Sequence, residues 1–552
     1  MNAIINKYIK DNLILKTLFL NLSFLVLYVF ICNPVFETND DTGMCNIVSG
    51  GYGNYYSHTI FINLILGKVL SAIMNLFPHI KLYVVFFYIF MFCSFFVITY
   101  IIYKYFSNFA LIINSIFLLY FGYECYVQVQ FTKVSGVMSI AGVLLIMNSF
   151  ESDKFKKKSF MLGIIILYFG CMVRFAACGL IIMIMYVLGI DYLTNKIKKK
   201  SKKNIVIFIT SWSIILVGLF LIVKVDSYAY EKETDWKYYK IFNEKRAILL
   251  DNGFPSFDEH ESEYTQLGLN ANDIYLYSNW TFADPDIFTV KLMDEIIKFK
   301  SKKIITPQRI LNVFSREIIT GYLQETFFIP ILILIIFWLL FYKKKYWILF
   351  INFIGLFFIN CYFICINRYL LHRVDVIIWM AEFITLIFLM KDKKTNITID
   401  YKKQLFIIAA ISFSMLNTIV LNIIPKDKIN NNAKDIIEYI KDDKQHLYLI
   451  DVYSDPTPNA YTIFSPINKG DIDNIYLLGG WGTNTPYTLK ILDNYNIHNP
   501  FQDCVDNKKI YIIDNYKIDQ IITYINDHYN TDAYAVLEQT LYGYKIYSIR
   551  SY

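Results

Sequence analysis

The sequence predicts an α-helical polytopic membrane protein that ends in a small α/β domain. Three observations predict this class. Hydrophobic residues make up 56% of the 552 and the mean hydropathy is +0.39, a balance that an ordinary soluble domain does not carry. Apolar runs of the roughly 20 residues that span a bilayer recur through residues 1–425. After Pro425 the pattern changes to short apolar runs alternating with charged helical ones.

Taken in order, the apolar runs lie at 17–36, 82–103, 106–123, 134–150, 159–173, 175–190, 204–223, 326–342, 346–367, 376–390 and 404–425, about eleven transmembrane helices. The first has no small-residue cleavage signal and is read as an uncleaved anchor. Basic residues in short loops are retained on the cytoplasmic side. Lys154 to Lys158, Lys196 to Lys203, Lys343 to Lys345 and Lys391 to Lys403 fall in alternate loops, all cytoplasmic if the amino terminus is. The other side receives the first loop (37–81), a large loop (224–325) and everything after Pro425. This divides the chain into a transmembrane domain, 1–425, and an extracytoplasmic α/β domain, 426–552. The abundance of Asn, Ile, Lys and Tyr fits an AT-rich bacterial genome, hence a multi-pass protein of a bacterial plasma membrane. The net charge of +7 belongs mostly to the loop lysines, so no nucleic-acid partner is implied. Nine cysteines show no paired spacing for zinc, although Cys45 and Cys504 both face outward and could pair.

Within the first loop, residues 57–77 place Ile60, Phe61, Leu64, Ile65, Val69, Ile73, Met74 and Phe77 at helical spacing, the pattern of a helix lying in the membrane interface. The large loop is rich in turn formers and acids but carries Tyr275, Tyr277, Trp280 and Phe282 as apolar anchors, so it reads as a lid or binding loop. In the carboxy-terminal part, residues 446–452, 474–480 and 509–514 read as strands and 433–441 and 517–527 as helices. It holds no GxGxxG, Walker or triad motif, which points to accessory recognition.

The chemistry-bearing candidates gather at the outer face. Glu37, Asn39, Asp40 and Asp41 stand just outside the first span. A carboxylate there can take a proton from an attacking hydroxyl, and a pair can hold a divalent cation such as Mg or Mn against a phosphate; alternatively Asn39 or Asp40 caps a short helix. Lys133, Arg174, Arg368, His372 and Arg373 are basic groups at the outer ends of spans. Charges at such depth need partners. A lipid-linked phosphate held by forked guanidinium groups is one; a buried acid such as Glu124 or Glu382 for Arg174, or lipid headgroups for Arg368 and Arg373, are others. His58 can contact substrate or begin a helix. Trp280 with Asp284 and Asp286 can stack on and hydrogen-bond a sugar, or pack the loop.

An uncleaved first helix, an acidic pair in the first outer loop, an in-plane helix, many further spans and an outer carboxy-terminal domain together resemble the C-type (GT-C fold) integral membrane glycosyltransferases. The stretches RAILLDNGFP, LGLNANDIYLYSNWTFADPDIF, NRYLLHRVD and LLGGWGTNTPYTLKILDNYNIHNP are similar to those of polytopic proteins of Gram-positive bacteria assigned by analogy to such enzymes. The resemblance implies transfer of a sugar from a polyprenyl-phosphate donor in the membrane lipid to a glycan or cell-wall polymer acceptor. It implies Asp40 and Asp41 as base or metal ligands. The residues themselves place Lys133, Arg174, Arg368, His372 and Arg373 as candidates on the phosphate, and Glu37, His58 and Trp280 as candidates toward substrate. A transporter or flippase of lipid-linked glycans is the alternative, for which the same basic groups would hold the headgroup. A cavity opening sideways near Asp41 separates the enzyme from a transporter with a central path.

Overall fold

The structure is a computed structural model that describes residues 12–552 apart from 107–108, 152–154, 252, 301–305, 340–344, 370, 392–429 and 466–467. Helix α1 (Leu13–Ile31) leads through β1 (Val35–Phe36) to α2 (Asn39–Val48), which carries the acidic cluster, then to α3 (Leu64–Leu76) and α4 (Leu82–Tyr105). Next come α5 (Ala110–Tyr126), β2 (Gln128–Val129), α6 (Phe131–Phe150), α7 (Lys157–Val173), α8 (Phe175–Lys198) and α9 (Lys202–Glu231). A polar stretch supplies α10 (Thr234–Leu250), α11 (Ala271–Ser278) and α12 (Val290–Phe299). Apolar helices resume with α13 (Pro307–Gln324) and α14 (Ile329–Ile336), bent by 102°, then α15 (Tyr346–Cys365) and α16 (His372–Leu389).

Six of these, α1, α4, α6, α8, α9 and α15, are long and apolar enough to cross a membrane, and the bent pair α13 and α14 makes a seventh if it is one span. The shortfall against eleven has physical causes. Helices α5 and α7 end within 17 residues, and α16 carries Arg373, Asp375 and Glu382 in 18 residues. The run at 404–425 lies outside the described residues.

Helix α6 is buried along its whole length, and α16 from Asp375 to Leu389, so these two fill the middle of the bundle. Small residues permit this. A Cβ on Gly142 would stand 2.9 Å from the Gly163 carbonyl of α7, and one on Gly136 would stand 2.4 Å from Ile377 of α16. Such backbone-to-backbone approach is the way apolar helices associate when no water is excluded between them. At one end of the bundle, Lys345 pairs with Asp191 at 2.9 Å and Lys391 with Glu151. The opposite end bears Lys133, Arg174 and Arg373.

On that end sits a polar lobe. Its carboxy-terminal part runs α17 (Asn431–Asp442), β3 (Leu447–Ile450), β4 (Ile475–Leu477), α18 (Pro486–Asn494), β5 (Ile510–Ile513), α19 (Ile518–Tyr529), β6 (Ala533–Leu541) and β7 (Tyr544–Ser551). The five-stranded sheet has the order β4-β3-β5-β7-β6, with β4, β3 and β5 parallel and the β6–β7 hairpin antiparallel. Tyr542 and Gly543, at φ of 53° and 85°, make the tight turn whose twist suits a two-residue hairpin. The hairpin was not foreseen.

Helix α17 covers one face of the sheet with Ala433, Ile436, Ile437 and Ile440. The other face packs against α10, α11 and α12 through Phe242, Leu249, Tyr277 and Ile296, in one core with Leu449, Tyr476 and Ile512. The large loop is therefore a fixed layer of this lobe, not a lid, and a boundary at 425 divides a single core. Cys45 and Cys504 are both free, buried in different clusters. The interface helix is shorter than 57–77. Its start is displaced because residues 57–63 fold back until the Ser57 carbonyl lies 1.9 Å from where a Gly67 Cβ would be.

Substituting Gly142→Val should overpack the α6–α7 seam and cost about 1–3 kcal/mol. A thermal melt of the purified protein followed by size-exclusion chromatography would show an earlier transition than the wild type.

Candidate functional site

Asp40 and Asp41 are consecutive on a helix, so their side chains diverge by about 100°. Asp41 turns inward and is fully buried. Its Oδ1 accepts from the Tyr83 hydroxyl at 2.8 Å and from the Phe131 backbone N–H at 3.1 Å, which pins α2 to the first residues of α4 and α6. Asp40 turns the other way, into a half-buried space. Burial pushes its carboxyl above the usual range, ahead of the opposing pull of Arg373 and Arg174, a hydrogen bond from the Trp481 indole and the more distant Arg246. A carboxyl raised by burial, in the positive field of nearby arginines, is suited to accept a proton from a hydroxyl.

The basic residues divide into two sets. Lys133 is fully buried, and its ammonium meets Glu37 at 2.8 Å, the Glu124 carboxylate at 3.0 Å and the Glu124 carbonyl at 3.0 Å. All three of its protons have partners. His372 bridges Glu124 at 2.8 Å and Glu325 at 3.3 Å. Lys133, His372 and Glu37 thus form a closed network beneath the site, which corrects the expectation that the first two hold phosphate and the third substrate. The second set is open. Arg174 occupies the extended break between α7 and α8, where Ser135 holds its carbonyl at 2.9 Å. Its guanidinium lies 5.6 and 5.3 Å from the Phe61 and Phe131 ring centres. Among the described residues neither Arg174 nor Arg373 has a carboxylate within 4.0 Å, so the acids proposed for Arg174 go elsewhere: Glu124 to the network and Glu382 to Asn352 at 2.5 Å. Arg368 is between the two sets, paired with Asp251 at 2.5 Å.

Arg174, Arg368 and Arg373 line one end of a cavity of about 900 Å³. Its remaining wall is apolar, from α8, α9, α15 and α16. It opens sideways: Met183, Phe220, Phe358 and Tyr362 line it and are yet more than half exposed on the flank of the helices.

Above Asp40 the loop after β4 closes the site. The Trp481 ring occupies the position that a Gly43 Cβ would need, 2.6 Å away, and meets the Phe61 ring edge-on at 5.1 Å. The Tyr239 hydroxyl donates to the Trp481 carbonyl at 2.6 Å. Gly479 approaches the Trp280 carbonyl so closely that a Cβ would stand 1.7 Å from it. Trp481, Arg246 and Tyr83 were missed as site residues. Only the unusual GGWG run hinted at the first.

Other expected residues serve the scaffold. The His58 ring stacks on Trp236 at 4.2 Å, and burial pushes its pKa down to about 4, so it is a neutral packing group at pH 7. Trp280 is a platform for Arg246, 5.2 Å away. Asp284 is buried and accepts from Asn499, Tyr524 and Tyr529 at 3.0, 2.9 and 2.5 Å, binding the large loop to the sheet domain. No group of three or more His, Cys, Asp or Glu side chains able to hold a metal ion occurs among the described residues. With Asp41 turned away and bonded, Asp40 alone offers a free carboxylate here. The donor set does not fit a resident Mg or Mn ion.

No protein-family model, curated protein or solved structure matches this chain.

Lys133→Met should leave Glu37 without its counter-ion and Glu124 with His372 alone, and cost about 3–5 kcal/mol. Asp41→Ala, which strands the Tyr83 hydroxyl and the Phe131 N–H, should cost about 1–3 kcal/mol. Thermal melts would show both drops, and a Lys133→Met protein as stable as wild type would refute the closed network.

Proposed function

We propose that this chain is a GT-C-like integral membrane glycosyltransferase, in a bacterial plasma membrane, that moves a sugar from a polyprenyl-phosphate donor to a cell-envelope acceptor on the outer face. The observation that carries the reading is the sideways-open apolar cavity with three arginines at the end nearest Asp40. An isoprenoid chain fits a wall of exposed Met, Phe and Tyr side chains, and a phosphate fits Arg174 and Arg373, which have no carboxylate of their own. The proposal places the lysine-rich end of the helices in the cytoplasm and the polar lobe outside, as the placement of basic residues in short loops suggests.

In the proposed reaction, Asp40 takes the proton of an acceptor hydroxyl as its oxygen bonds to the anomeric carbon of the donor sugar. The bond from that carbon to the phosphate oxygen breaks, and the electron pair leaves with polyprenyl phosphate, whose charge Arg174 and Arg373 hold. Trp481 and Phe61 keep water from the carboxylate. Arg368, already paired with Asp251, contributes field more than contact. The alternative, a transporter of lipid-linked glycans, needs a route between the two membrane faces, whereas buried α6 and α16 occupy the middle of the bundle.

Asp40→Asn should lower transfer, assayed with the purified protein and a radiolabelled polyprenyl-phosphate sugar, by about 10³-fold or more and leave the fold intact. Because the folded carboxyl titrates above its unfolded value, its charge opposes folding at neutral pH. The Asn variant should therefore melt no lower than wild type at pH 7, and any gain should shrink as pH falls below that folded value and vanish below the unfolded one. The acid limb of the transfer rate should lie above the ordinary carboxylate range. Arg373→Ala should raise the donor KM more than tenfold. Full activity in Asp40→Asn would overturn the assignment.

A further inference from the structure

A second cavity, with Trp481 in its wall, lies between the start of α2 and the carboxyl ends of β3 and β4. Parallel α/β sheets commonly take their ligands at this edge. Its volume, about 80 Å³ measured at water centres, holds roughly five to eight waters. That matches one pyranose ring and excludes a polymer segment.

Its wall has a particular chemistry. The Trp481 and Tyr52 rings give flat apolar faces, and Asn39, Thr42, Asp455 and Thr483 give polar groups around them. No lysine, arginine or histidine lines it, so a phosphate or a sugar acid would meet no counter-charge. Thr483 is 2% exposed, and its hydroxyl has no hydrogen-bond partner among the described residues. A buried hydroxyl left so costs about 1–3 kcal/mol unless something outside the chain bonds to it. Asp455 accepts from the backbone and hydroxyl of Thr457, both at 2.9 Å, and retains further lone pairs. Gly482 has no left-handed φ and no neighbour within 4 Å of an added Cβ. Neither backbone strain nor packing requires glycine there.

We infer that this cavity binds a single neutral sugar ring, stacked on Trp481 and hydrogen-bonded by Thr483 and Asp455, and that this ring is the acceptor's terminal residue. The word acceptor rests on the transfer reading above; the sugar site stands on its own geometry. Asn39 and Thr42, on either side of Asp40 in the chain, line this cavity, so a ring held here touches the residues that flank the candidate base. The acceptor class is thereby a neutral glycan end and not a protein side chain or an anionic polymer.

The test uses the full-length protein in lipid nanodiscs free of sugar detergents, titrated with the methyl glycosides of glucose, galactose, mannose and N-acetylglucosamine and read by saturation-transfer NMR and tryptophan fluorescence. At least one should bind saturably. Gly482→Leu, which fills the cavity, and Thr483→Val should each weaken that binding at least tenfold, and Thr483→Ser should restore it. Polyprenyl-phosphate binding should be unchanged in all three. Asp40→Asn, deficient in transfer, should still bind the glycoside. Absence of binding by all four glycosides, unchanged binding in Gly482→Leu, or displacement by inorganic phosphate would each overturn the inference while leaving the Asp40 result to decide the transfer reading.

Discussion

The arrangement depends on one wedge. Trp481 enters between α2 and the Phe61 ring because Gly43 leaves room for it, and it is held there by Tyr239 and by the backbone contact of Gly479 with Trp280. Through this ring the sheet domain, the large loop and the first acidic helix share a boundary. Its indole also acts on Asp40, so the group that joins the two lobes is the one that tunes the candidate base. A larger residue at position 43 would separate the lobes and the chemistry together.

Beneath the wedge, a buried ion network gives the bundle end its rigidity. Lys133 between Glu37 and Glu124, with His372 reaching Glu325, links the end of β1, α5, α6, the loop before α14 and α16. Buried charges are tolerated where every proton and lone pair has a partner, and here they nearly all do. The consequence is a division of labour among the cations. Those with carboxylates hold the helices, and Arg174 and Arg373, without them, remain available to an anion at the mouth of the apolar cavity.

Much of this could be read from residues alone. The α/β character of the end of the chain, its strands at 447–450, 475–477 and 510–513, and the gathering of charge at one end of the helices follow from local hydrophobic period and from lysine placement. The acidic loop was visible too, because carboxylates next to a spanning run are conspicuous. Which of Asp40 and Asp41 is buried and bonded, and which stays accessible, was not visible. That depends on the phase of α2 relative to α4 and α6, set by Tyr83 and the Phe131 N–H, 42 and 90 residues away. The same distance effect hid Trp481, whose partners Gly43 and Phe61 lie more than 400 residues earlier.

The sequence by itself determined that the helices seek an apolar medium, where the charged turns fall and which residue types are available for chemistry, because hydrophobic burial and charge solvation act on each segment locally. Only the tertiary structure decided which cations are neutralised, that the large loop is a layer of the sheet domain, and that three arginines from distant segments line one cavity. Those outcomes follow from long-range packing, where a single glycine or a buried carboxylate chooses among partners that the sequence places far apart.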